Sequence, residues 1–101
     1  MDLVIGLEAY AYEEVTVGAA PVGLTTALIA PLNGAPAAAA VIVVDTASVR
    51  FRTEGGGPTA AVGALLNSGD SLVLWGGNNL RHFQAVRTGG VDASLRVHYI
   101  R

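Results

Sequence analysis

The chain has 101 residues, enough for one domain with a single core and little surface left for an elaborate catalytic cleft. Its hydrophobic fraction is 51 % and its mean hydropathy +0.49, yet only six residues are aromatic: Tyr10, Tyr12, Phe51, Trp75, Phe83 and Tyr99. With no cysteine it has no disulfides, and six arginines spread over fifty residues do not form the dense basic patch of a nucleic-acid binder.

So apolar a chain with so few bulky side chains is expected to bury some of its surface against other subunits. The charge is also split. Residues 1–49 carry five acidic side chains and no basic one; residues 50–101 carry six arginines against Glu54, Asp70 and Asp92. That asymmetry suits packing between copies of the chain better than a polyanionic partner, so a homo-oligomer is expected.

In chain order, residues 1–12 read as an extra strand or an arm reaching a neighbour, with Leu3, Ile5 and Leu7 in alternation, and residues 13–101 as one β domain. The opening residues lack the basic region of a signal peptide, so synthesis in the cytoplasm of a host cell is expected. EEVTV (13–17) sends Glu13, Val15 and Val17 to one face and Glu14 and Thr16 to the other. GAAP (18–21) turns the chain, and a short strand is expected within Leu24 to Ala30.

PLNGAP (31–36) is a second turn. Ala37 to Val44 is apolar on both faces and ends VIVV, which predicts a strand buried from both sides. This run of ten apolar residues from Ala35 is too short to span a bilayer. Ser48 to Thr53 alternates, with Val49 and Phe51 inward and Arg50 and Arg52 outward. Residues 60–67 are the one stretch expected to form a short helical turn, since Gly63 and NSGD forbid a longer helix. Strands are then expected at Ser71–Trp75, Leu80–Arg87 and Ala93–Ile100. Seven or eight strands in 101 residues leave no room for βαβ crossovers, so the predicted class is all-β: a small antiparallel sandwich, jelly-roll-like.

FRTEGGGPTAAVG (51–63) looks at first like a phosphate cradle. A Walker loop needs a lysine to reach the terminal phosphates, and the chain has none; a dinucleotide fingerprint needs a βαβ unit. The stretch therefore reads as a connection. His82 and His98, the only histidines, read as exposed strand residues and are too few for a zinc site without cysteine. No serine lies in a nucleophile elbow, and Glu13 and Glu14 point to opposite faces, so they cannot form an acid/base pair. No active site, cofactor or metal site is expected.

Tyr10, Tyr12 and Trp75 are the candidate interface anchors, because tyrosine and tryptophan are enriched at such positions. Arg50 and Arg52 are candidates to meet the acidic half of another copy.

Several motifs carry a resemblance: VRFR (49–52), GGPT (56–59), GALLNSGD (63–70), FQAVRTG (83–89) and the ending LRVHYIR (95–101), with EEVTVG…VGLT before them. In this order and spacing they resemble a family of small proteins encoded among the structural genes of tailed bacteriophages and prophages. The resemblance covers about residues 13–101. It implies a non-enzymatic virion component of small β fold, located in the particle and binding the capsid or another virion protein, with capsid decoration as one such role. A carbohydrate- or receptor-binding module is the competing expectation, with Trp75, Tyr10 and Tyr12 as its aromatic platform.

Overall fold

The computed structural model describes residues 8–101. The alternation of Leu3, Ile5 and Leu7 lies outside the described residues. Among the described residues eight strands run in chain order: β1 (Ala9–Val17), β2 (Val22–Gly23), β3 (Ala39–Asp45), β4 (Val49–Arg52), β5 (Ala64–Leu66), β6 (Ser71–Trp75), β7 (Gln84–Arg87) and β8 (Ala93–Ile100). Two short helices interrupt them, α1 (Thr26–Ile29) and α2 (Gly77–His82).

The strands form two antiparallel four-stranded sheets, ordered β1-β8-β3-β6 and β2-β7-β4-β5. Each strand of the first half pairs with its mirror in the second: β1 with β8, β2 with β7, β3 with β6, β4 with β5. Rolling up that long hairpin adds the β3–β8 and β4–β7 pairs, and the result is the strand order of a jelly roll. The predicted all-β sandwich is thus the observed one.

Alternation explains the core. The β8 pattern buries Ala93, Leu95, Val97 and Tyr99 and turns Ser94, Arg96, His98 and Ile100 outward. Beside them on the same inner face are Val15 and Val17 of β1 and Ala40, Ile42 and Val44 of β3, and Val49 and Phe51 of β4 pack from the second sheet. Phe83 and Phe51 stack at 5.6 Å between the sheets.

Three local expectations need correction. Residues 60–67 are not helical. Thr59 Oγ1 accepts from the N–H groups of Ala61 and Val62, closing a turn; Gly63 then takes φ +130°, and Ala64–Leu66 pairs with β4. The open edge of β4 offers three residues a ladder that an isolated helical turn could not match. Second, the expected strand at Leu80–Arg87 starts only at Gln84, because Leu80 and Phe83 both face the core. A spacing of three is possible on a helix and not on a strand. Gly76, at φ +93°, provides the turn into α2. Third, Leu24 to Ala30 is not a strand: adjacent Leu28 and Ile29 both pack inward, which requires the single turn of α1.

β1 runs without a break through residue 12, so residues 9–12 belong to the first sheet. A bulge between Ala9 and Ala11 leaves Tyr10 unpaired and bends this edge strand. Its inward carboxylate, Glu13, is fully engaged: Tyr99 Oη donates to it, as do the N–H (3.1 Å) and Oγ1 (2.6 Å) of Thr25. Glu13 thereby holds the start of α1, which has no cap from its own Thr25 side chain.

Candidate functional site

The glycine loop is a closed structural unit. Arg50 Nε and Nη1 donate to the carbonyls of Ala60 (3.1 Å) and Gly63 (3.0 Å). Arg52 pairs with Glu54 at 2.5 Å and reaches the Gly57 carbonyl. Pro58 is buried, and so is Val86 on the outer side of the second sheet. The two arginines point away from the core, but they staple their own loop across that sheet. Arg50 Nε and Nη1 and all three nitrogens of Arg52 donate within the chain, so much of their hydrogen-bonding capacity goes to their own loop. Glu54 also accepts from the Gly56 N–H, and its hydrogen bond with Arg52 holds its carboxyl below the usual range. Between this loop, the β1–β2 turn and the end of β7 lies a shallow groove of about 460 Å³, lined chiefly by alanine and proline with Val86 as part of its floor.

Tyr10 is a packing residue. Its hydroxyl donates to the Leu28 carbonyl at 2.6 Å, its ring lies 6.4 Å from that of Tyr99, and the Arg101 guanidinium sits 4.3 Å above it. Burial pushes its phenol pKa up, partly offset by Arg101. It therefore ties the chain end to α1 and presents little to a partner.

Tyr12 and Trp75 share one surface, the outer face of the first sheet. Strand registers set it out in rows. Tyr12, His98, Val41 and Val73 lie side by side; Glu14, Arg96, Val43 and Ser71 form the next row; Ile100, Ala39 and Trp75 form the row on the other side. The face is divided by chemistry. On β1 and β8, Arg96 bridges Glu14 and Asp45 at 3.2 Å each, and Tyr12 donates to Glu14 beside His98. On β3 and β6 there is no charge until Asp45: Val41 and Val43 are half-buried, Val73 is 49 % and Trp75 57 % exposed.

This half of the face corrects one more expectation. β3 was predicted to be buried from both sides, yet the second sheet covers only Ala40, Ile42 and Val44. On the outward side Val41 has His98 and Val73 beside it, and Val43 has Arg96 and Ser71. Trp75, by the same geometry, is not a core-rim residue. Tyr12 and Trp75 lie on opposite edge strands of a four-stranded sheet, and Tyr10 lies elsewhere, so the three aromatics do not converge on a sugar platform.

His82 lies in the last turn of α2 and not on a strand, while His98 lies on β8. Among the described residues no cluster of three or more His, Asp or Glu side chains could hold a metal ion, and no helix is long and apolar enough to cross a membrane.

The alternation of Val73 and Trp75 with Leu72 and Leu74 was legible in sequence and could have pointed to the outward valines of β3 as well. Which layer covers a given strand face depends on the stacking of the sheets, and among the described residues the second sheet lies only on the other side of β3. No protein-family model matches the chain, nor does any curated protein or solved structure.

Proposed function

We propose that the chain is a non-enzymatic structural protein of a tailed-phage virion, self-associating and binding the capsid or another virion component, as a decoration protein does. The observation that carries this reading is the uncharged, apolar half-face formed by Val41, Val43, Val73 and Trp75. A central strand that is apolar on both sides and covered on one is a surface prepared for protein contact. The motif resemblance supplies the phage context. The jelly roll is consistent with it, being common in viral capsid domains, although a fold alone does not fix a role.

The test is microscopy of purified particles, joined to binding of the purified protein to empty shells. Density for the chain on the particle and saturable binding are expected. Trp75→Ala should weaken binding roughly tenfold while leaving the fold intact, since an exposed aromatic anchor contributes to association more than to folding. Particles lacking the chain, with no binding to shells or tails at about 100 µM, would overturn the reading.

A further inference from the structure

Among the described residues the free edge of β6 is the one long edge without a protective device. Edge strands normally carry a charge, a proline or a bulge, or are very short, because their unpaired N–H and C=O groups invite another chain. β1 has the inward Glu13 and the bulge at Tyr10; β2 and β5 are two and three residues long. β6, SLVLW, is five residues with no charge, proline or bulge, and it pairs in unbroken register with β3.

Its hydrogen-bonding phase is fixed at both ends. Gly76 N–H donates to the Ala38 carbonyl and Val44 N–H to the Asp70 carbonyl. Residues 70, 72, 74 and 76 therefore face β3, and Ser71, Val73 and Trp75 turn their backbone groups to the open side. Among the described residues that side receives one hydrogen bond, from Asn79 Nδ2 to the Trp75 carbonyl at 2.8 Å. A carbonyl has a second lone pair, so this contact does not block pairing.

We propose that β6 pairs antiparallel with β6 of a second copy about a two-fold axis through Val73, joining two first sheets into one of eight strands. This names the surface for the self-association proposed above and rests on that part of it alone. The register is self-complementary: Ser71, Val73 and Trp75 are the three outward-bonding residues, and Val73 is their midpoint. Val73 then meets Val73 of the second copy, and each Trp75 lies beside Ser71 of the other, so the apolar half-faces become continuous. Charge fits the same register. Gly76 falls opposite Asp70 of the second copy. On the Gly77 side, Arg81 Nη1 lies 3.5 Å from where a side chain at residue 77 would begin. The exposed carboxylate at the start of one strand thus meets the guanidinium beyond the end of the other.

Because the chain has no cysteine, Val73→Cys reads the register directly. A hydrogen-bonded antiparallel pair sets Cα atoms about 5.5 Å apart, within disulfide reach. Copper-catalysed air oxidation should link Val73→Cys into a covalent dimer at least about tenfold faster than Val91→Cys, a somewhat more exposed position in the β7–β8 turn. Sedimentation of the wild-type chain should show a dimer at about 100 µM, and Val73→Lys should raise its dissociation constant roughly tenfold with the circular dichroism spectrum unchanged. A monomeric wild-type chain, equal crosslinking of the two cysteine variants, or a dimer indifferent to Val73→Lys would each overturn the proposal. Those results leave the virion reading to its own test on particles.

Discussion

Tyr99→Phe removes one hydroxyl from one of the two fully buried aromatics of the core. Its ring is fully buried, and its Oη donates to Glu13, the carboxylate that also receives two hydrogen bonds from Thr25. A hydrogen bond to a charged group contributes about 1.5–3 kcal/mol. Glu13 keeps its Thr25 partners and some contact with water, so the lower end applies, about 1.5 kcal/mol, or a fall in melting temperature of about 6–12 °C for a domain of this size. Urea denaturation followed by circular dichroism, at fixed protein concentration because association would add stability, measures it. The same substitution has a signature in alkali. Burial, and then the hydrogen bond to Glu13, push the Tyr99 phenol well above its ordinary pKa. The folded state therefore holds that proton more tightly than the unfolded chain. This contribution is fully present below pH about 10 and is lost as pH rises above it, at up to about 1.4 kcal/mol per pH unit. Tyr10, also raised by burial, adds to the slope. In Tyr99→Phe the alkaline slope should be shallower. A loss under about 0.5 kcal/mol at neutral pH with an unchanged alkaline slope would refute the role given to this hydrogen bond.

Gly63→Ala should destabilise by about 2 kcal/mol or more, since φ +130° is strained for alanine and its Cβ would lie 2.9 Å from the Phe51 carbonyl; thermal denaturation reads this directly. Arg50→Ala frees the Ala60 and Gly63 carbonyls, so amide exchange in residues 54–63 should speed up several-fold, with a global loss of only about 1 kcal/mol. In an NMR titration Glu54 should protonate at lower pH than an ordinary glutamate, and Arg52→Gln should move its midpoint back up. As the pair is exposed, acid should loosen the loop as pH falls through that midpoint without unfolding the domain.

Period-two alternation was enough to read the class of fold and most strands, because a side chain's face on a strand follows from its parity alone. Val49 and Phe51 inward with Arg50 and Arg52 outward, and the burial pattern of β8, needed nothing else. The absence of lysine likewise argued against a Walker loop from composition. Parity failed where two core contacts lay at a different spacing, at Leu28–Ile29 and Leu80–Phe83, and where an open strand edge recruited Ala64–Leu66. Those outcomes depend on which neighbour is present in space. Tertiary structure also decided what outward positions do: Arg50 and Arg52 became staples for their own loop, and Tyr10 a packing residue. Two-sided apolarity in β3 was visible in sequence, but only the stacking of the sheets shows that the second sheet covers one side alone. A strand's sequence records which faces are apolar. What covers each face is set by the pairing order of distant strands, and here that order leaves Val41, Val43, Val73 and Trp75 beside a free edge.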